Sequence, residues 1–541
     1  MRWRILSLKS KRNLLDQVLI NRGLKTKRAR EEFLNPPPPL KLTEKDLEID
    51  KKEVDKAIKR IKQAASRKEK AIVYGDYDAD GVCATAILWE ALRNMGLDVL
   101  PFVPKREEGY GLQEEKIREF AEAEVKLIVT VDQGIVQYQA AKTAYKLGVD
   151  LVITDHHLPG KKKPLASAII HTTKLCGAGV AWFLAQKLGD SDRSHLGLAA
   201  IGTVTDLMPL FGPNRALVKF GLEELKRDSR SGLVALFQLA GIDQSDLTSY
   251  EVGFVLGPRL NSSGRLADPL DSLRLLCTRD QKRAKLLAQK IDQNNRERQN
   301  LMTQAALHAR ELWLAGDGKE SLIFIEHESY HEGVIGLAAG KLMEEFGRPA
   351  VVLARGEVFS KASARSIEGF NLVEAIRSCA DLLGSHGGHP LAAGFTVETA
   401  KIEMLKTRLQ ALAAEKLPAG KSEKVLRIEA EARFNQLNRP VFEELQKLEP
   451  FGEGNRQPVL ATTGVEVVEK RLLGANHQHL KLILREPQSK IVLEAIGFNL
   501  VVAFGSLSIG SIIDVAYNLT INDWNGSKKL QLKIKDIRCQ K

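Results

Sequence analysis

Aromatic residues make up only 6% of this 541-residue chain, and it has just five cysteines. Cys83, Cys176, Cys277, Cys379 and Cys539 form no C-x-x-C pair, which excludes a cysteine-based zinc or redox motif and reads as reduced core thiols. No run of about 18 apolar residues is present, so no membrane-spanning helix is expected. Met1-Arg2-Trp3-Arg4 does not open a secretory leader, and a cytoplasmic protein is expected. Internal repeats are missing too. What is present is 44% hydrophobic and 27% charged residues, a globular rather than a disordered composition. The length exceeds what one core supports and predicts three or four domains.

Charge is unbalanced. Lys and Arg number 80 against 68 Asp and Glu, a net charge of +12. That excess favours a polyanionic partner. Lys9 to Arg30, Lys51 to Lys70 and Lys161-Lys162-Lys163 are rich in basic residues. Each alone reads as a solvated face; together with an acidic centre they suit a surface that follows phosphates.

Such a centre is visible. Gly75-Asp76-Tyr77-Asp78-Ala79-Asp80-Gly81 follows the apolar run Ala71-Ile72-Val73-Tyr74. The acids therefore sit at the C-terminal end of a buried strand, where open α/β sheets bind ligands. Carboxylates this close raise one another's pKa unless a cation joins them; an Asp/Gly turn is the plain alternative. Lys126–Val131 ends at Asp132-Gln133-Gly134, Asp150–Thr154 ends at Asp155-His156-His157, and Ile201–Thr205 leads into Asp206. Four apolar segments, all expected to be strands, thus end in acids. Carboxylates with imidazole and no thiolate suit Mn²⁺ or Mg²⁺.

The order of elements is legible as well. Residues 1–45 are basic and end at the stiff Asn35-Pro36-Pro37-Pro38-Pro39. Residues 46–215 alternate helices with short apolar strands, the pattern of a parallel sheet. Residues 216–315 are expected to be helical, with Gln281–Trp313 a long amphipathic stretch bridging two domains. A second α/β unit spans 316–418, with strands at Ser321–Ile325 and Ala350–Leu353, before a linker at Leu417–Ser422. Residues 423–541 carry short strands at Gly464–Lys470, His479–Leu484, Val492–Gly497, Ser511–Thr520 and Lys529–Ile537, with a turn at Asn525-Gly526. They suit a small β-barrel.

Three further motifs offer phosphate chemistry. Arg259 and Arg265 flank Asn261, Ser262 and Ser263 on an expected Gly/Pro-framed loop, and guanidinium forks bind phosphate oxygens bidentately. Ser363-Ala364-Arg365-Ser366 repeats the combination. Gly387-Gly388-His389 allows close backbone approach beside an imidazole donor.

The four acidic motifs resemble those of the DHH phosphoesterases. Glu108–Gly111, Leu175–Ala181, Gly257–Asn261 with Gly264-Arg265-Leu266, His331–Gly336, Ser363–Phe370, Gly387–His389 and Glu449–Asn455 resemble the RecJ-type, single-strand-specific 5′→3′ DNA exonucleases within them. The likeness runs from about residue 45 onward in family order. It implies a parallel-sheet DHH domain, a helical connector, a DHH-associated α/β domain and a C-terminal OB-fold. It implies two Mn²⁺ or Mg²⁺ ions held by Asp76, Asp78, Asp80, Asp132, His156 and Asp206, with Asp132 bridging. Asp76 stands in for a His that many relatives carry upstream of D-x-D. His157 is expected to bind a non-bridging oxygen or assist the leaving group, and Arg106, Arg265, Ser363 and Arg365 to cradle a 5′-phosphate. The likeness further implies a single-stranded DNA substrate held by the barrel, a single-strand-binding protein and a RecQ-like helicase as partners, and a monomer. With few aromatics, the strand track is expected to rely on charge more than stacking.

Departures are His171-Thr172-Thr173, where Asn-Pro is usual, and Tyr330, where Trp is commoner. The extra C-terminal domain of some larger relatives is expected to be absent. Competing readings are a hydrolase of short RNA or cyclic dinucleotides, an inactive DHH scaffold, and a plain DNA-binding protein. The first lacks a use for the connector and barrel, and the others leave the filled ligand positions unexplained.

Overall fold

The computed structural model describes residues 1–7, 13–109, 111–316, 318–417, 424–524 and 527–539. The Asn525-Gly526 turn, Lys9, Tyr110 and all of the linker past Leu417 lie outside the described residues.

The first sheet has five parallel strands in the order Asp98–Phe102, Lys70–Tyr74, Val125–Val131, Asp150–Asp155, Ala168–His171. Its central strands are apolar on both faces because helices cover both, as in other parallel sheets. Tyr74 pairs with Thr130, Val131 with Thr154, and Asp155 with His171, so the acid-bearing ends lie side by side. The helix Ala79–Asn94 starts directly at the first motif, with the Asp78 side chain accepting from Gly81 N as its N-cap.

Two expected elements are different. Ile201–Thr205 is not a strand but the end of a helix, Ser194–Thr205, buried along most of its length. A short apolar run looks alike in a buried helix and a buried strand, and Ala199, Ala200 and Gly202 give this helix the small surface it needs. Gly257–Leu266 is likewise a helix, not a loop. Pro258 follows directly on a π-helical turn, Val252–Leu256, which already interrupts the i→i−4 ladder where the Pro N–H is missing.

The helix Gln281–Ala315 is 35 residues long, about 50 Å at 1.5 Å per residue. Ala288 and Ile291 pack into the first core. Ala305, Ala309 and Trp313 pack into the second α/β unit, so this helix does bridge two cores. That unit has a five-stranded sheet ordered Leu383–His389, Ala392–Glu398, Phe359–Arg365, Ala350–Ala354, Ile323–His327, parallel only at the last pair.

The C-terminal barrel closes where Leu460–Leu473 pairs with both His479–Arg485 and Ile512–Trp524. The described residues up to Leu34 fold against it. Arg2–Ile5 adds in parallel to Val425–Ile428, and Leu15, Val18, Leu19 and Phe33 enter the barrel's core. Arg215, fully buried, ties these parts together. It stacks on Phe33 and donates to the carbonyls of Phe33, Leu448 and Glu449 at 2.5, 2.9 and 2.6 Å. No helix among the described residues is long and apolar enough to cross a membrane.

Candidate active site

Six side chains from four chain segments meet at the C-terminal edge of the first sheet. Ligand atoms of Asp76, Asp78 and Asp132 lie within 4.8 Å of one another, and so do those of Asp80, His156 and Asp206. Asp132 Oδ1 joins the two triads, 3.0 Å from His156 Nε2. His156 Nε2 is also 3.9 Å from Asp80 and 3.7 Å from Asp206. Asp206 reaches the centre from the end of its helix, not from a strand end.

The electrostatics are those of a site short of positive charge. Unit charges about 4 Å apart repel by about 4 kcal/mol at an effective dielectric of 20. Burial, then the Asp78 charge, pushes the Asp76 carboxyl up to about 8. Burial, then Asp80 and Asp78, does the same to Asp206. Asp78 and Asp132 are raised by the same two causes. Burial lowers His156, keeping it neutral and able to ligate. Asp132 Oδ1 is buried without a hydrogen bond, and Asp132 sits at φ 62, a left-handed conformation that Asp tolerates better than most residues. Oxygen donors, one neutral imidazole and an orphaned carboxylate oxygen fit Mn²⁺ or Mg²⁺.

The phosphate candidates divide. Arg106, Arg265, Ser363 and Arg365 come together beside the acid loop. Arg106 stacks over the Tyr77 ring at 4.5 Å and donates to Gly264 O at 3.0 Å. Arg265 donates to Gly333 O at 3.1 Å, which links it to the second α/β unit. Arg365 donates to Ala364 O at 2.9 Å and lies 3.3 Å from Ser363 Oγ. Burial, then the Arg106, Arg298 and Arg365 charges, pulls Arg265 down to about 10. Arg259 is elsewhere: its fork pairs with Asp292 at 3.0 Å and donates to Val255 O. Asn261 accepts from Ala79 N at 2.8 Å, fixing the acid loop to the helix Gly257–Leu266. Ser262 and Ser263 are buried and bonded inside. His389 pairs with Ala392 and Ala392 with Arg365, so His389 lies two strands, about 10 Å, from Arg365 on an exposed hairpin with Gly387 and Gly388.

Family models match three stretches: the N-terminal domain of the DHH family at residues 70–203, a DHHA1 domain at 319–415 and a RecJ OB domain at 428–536. The single-stranded-DNA-specific exonuclease RecJ of Bacillus subtilis is 37% identical over 540 residues, covering 97% of this chain and 67% of that protein. The chain belongs to the RecJ family. The crystal structure of Thermus thermophilus RecJ with Mn²⁺ matches at a TM-score of 0.85 and 32% identity, covering 100% of this chain and 80% of that one. Its Mg²⁺ complex matches at 0.79 and 30%, covering 100% and 79%.

Several groups in this RecJ-family site escaped notice in the sequence. Asp155, read only as a strand end, accepts from Ile135 N, His156 N, His157 N and His157 Nδ1, the last at 2.8 Å. Burial opposes its charge, but the His157 contacts hold its carboxyl below the usual range. Against burial, the Asp155 bond raises His157 to about 9. Gly177 N and Ala178 N, opening the helix Gly177–Leu188, donate to both oxygens of Asp80 at 2.7 and 2.9 Å. A Cβ on Gly177 would overlap the Asp132 side chain, and one on Gly202 would overlap Asp80. The Cys-Gly-Ala-Gly and Gly-Thr-Val-Thr-Asp patterns carried that signal. The unusual His171 donates from Nε2 to His157 O at 2.7 Å, and the unusual Tyr330 is a core residue bonded to His308 at 3.0 Å.

Proposed function

We propose that this chain is a single-strand-specific 5′→3′ DNA exonuclease releasing nucleoside 5′-monophosphates, with two divalent cations, in recombination and repair. One observation carries this reading: the acid–imidazole centre and a pocket of arginines without carboxylate partners among the described residues share the loop Asp76–Asp80. Arg106 stacks on Tyr77 within that loop, and Asn261 holds Ala79 from the helix that bears Arg265. A terminal phosphate among the arginines would set the next phosphodiester against the acids, so cleavage counts one nucleotide from the 5′ end.

Asp76, Asp78 and Asp132 would hold one cation, and Asp80, His156 and Asp206 the other, with Asp132 shared. Bound there, the pair supplies Lewis acidity that makes water nucleophilic near neutral pH and neutralises charge on the phosphoryl oxygens. Asp155 fixes the His157 ring through Nδ1 and keeps it an imidazolium, which can donate to a non-bridging oxygen or the leaving group. Arg265 and Arg365, held by backbone carbonyls, meet the terminal phosphate with their forks already oriented. The exposed Gly387-Gly388-His389 edge admits the strand beside Arg365. Arg259 plays a scaffold part, through Asp292.

This reading includes the domain division at 1–45, 46–215, 216–315, 316–418 and 423–541; separate apolar cores support the boundaries near 316 and 423, while residues 1–45 share the barrel's core and 216–291 that of the first sheet. It includes a monomeric, cytoplasmic enzyme working with a single-strand-binding protein and a RecQ-like helicase, as the family resemblance implies. Purified protein with Mn²⁺ should release the 5′ label of a single strand as mononucleotide, leave duplex and cyclic dinucleotide intact, and lose activity as Asp132→Asn. Release from the 3′ end, or an equally active variant, would refute it.

A further inference from the structure

A fourth guanidinium lies near enough to the arginine pocket for its charge to act on Arg265. Arg298, on the helix Gln281–Ala315, is only 8% exposed. Its Nε and Nη2 both donate to Asn295 Oδ1, at 3.2 and 2.9 Å, and Asn295 is itself 1% exposed. One neutral amide oxygen is thus the acceptor for a group with five N–H donors. Burial lowers its pKa and no acidic neighbour raises it, yet its charge is felt at Arg265.

Two comparisons within the molecule set Arg298 apart. Arg296 and Arg259 both pair with Asp292 on the same helix, at 2.8 and 3.0 Å. The other buried arginine without an acid, Arg215, has backbone carbonyls around its whole fork. Arg298 has neither. A largely buried cation with no acid beside it among the described residues favours a ligand that brings the counter-charge.

We propose that Arg298 is a positioning residue of the anion pocket, and that its charge, held in place by Asn295, sets the preference for a strand ending in a 5′-phosphate over one ending in a 5′-hydroxyl. This rests on the 5′-end reading above. A phosphate monoester carries about −1.5 to −2 at neutral pH and a 5′-hydroxyl carries none, so each guanidinium whose field reaches the pocket adds to the discrimination. Arg298 adds field at Arg265 without touching the scissile bond.

The same single strand, 5′-phosphorylated or with a 5′-hydroxyl, should be compared in wild type, Arg298→Met, Arg298→Lys and Asn295→Asp. Asn295→Asp neutralises Arg298 with no loss of volume, so it guards against a variant that merely unfolds. The kcat/KM ratio of phosphorylated to hydroxyl strand should fall about tenfold in Arg298→Met and in Asn295→Asp, and less in Arg298→Lys. Inorganic phosphate should raise the Tm of metal-free wild type more than that of either neutralised variant. Equal losses on both strands, with an unchanged phosphate shift in Tm, would overturn the role of Arg298 alone. A wild type indifferent to the 5′ end would overturn the pocket reading along with it.

Discussion

Two buried clusters of ionisable groups share the helix Ala79–Asn94, and each offers three candidate metal ligands or more. In one, Asp76, Asp78, Asp80, Asp132 and Asp206 crowd around the neutral His156. In the other, Glu90, Asp190 and Asp192 surround His195 and Arg230. His195 bonds Asp190 at 2.6 Å and Glu90 at 2.8 Å, and Arg230 bonds Glu90 at 2.6 Å. Despite burial, His195 and Arg230 hold Glu90 down to about 2, and Asp190 with Glu90 raise His195 to about 9. The second cluster is neutralised from within and is a scaffold. The first carries Asp76, Asp78, Asp132 and Asp206 at raised pKa, so an ion from solution must complete it. Proximity of ligand atoms alone does not distinguish them; the presence of Arg230 does.

The sharpest way to separate the two is to remove one acid from each. Asp132→Asn, which keeps the left-handed backbone tolerable, should cut kcat by about 10³-fold, since Lewis-acid stabilisation is worth several kcal/mol. In chelator its Tm should equal or exceed that of wild type, because a repelling charge is gone; a lower Tm would show that the acids support one another. Glu90→Gln should do the reverse: about 3 kcal/mol of stability lost in urea unfolding, with activity per folded molecule retained.

A smaller effect is expected one layer out from the first cluster. Asp155→Asn should lower Mn²⁺-dependent activity by about 10- to 100-fold through loss of the His157 orientation. Titration of Mn²⁺ against that variant would show whether affinity or turnover falls. The smallest effect is the pH response of the second cluster. Glu90 is depressed, so its contribution is present above the unfolded value of about 4.3 and disappears as pH falls toward 2. His195 is raised, so its contribution is complete below about 6.5 and disappears as pH rises through 9. Urea midpoints of wild type minus His195→Ala should thus be largest between about pH 4.5 and 6.5 and shrink by pH 9.5. A flat difference would mean that His195 acts by packing alone.

Much of this was readable in one dimension. Three strands ending at Tyr74, Val131 and Asp155 announce themselves by apolar runs too short for helices, each with an Asp at its end or within two residues of it. The barrel strands and the 35-residue bridging helix follow from periodicity. Asp206 was found as a ligand but on the wrong element, because burial on all sides erases the periodicity that separates helix from strand. Arg259 and Arg265 look interchangeable in sequence, yet only Arg265 faces the acid loop.

The sequence by itself determined the donor chemistry of the site: hard oxygen and imidazole ligands, arginines in number, no thiolate. It also determined the order of the three folded units, since each carries its own local pattern. Tertiary structure alone decided which charges are neutralised. Asp292 takes Arg259 and leaves Arg298 to Asn295; Arg230 takes Glu90 and leaves Asp132 without a cation. The reason is physical: periodicity and propensity act over a few neighbouring residues. For Arg259 and Arg230 the acid is chosen across 33 and 140 positions, by whichever counter-charge folding brings within about 3 Å.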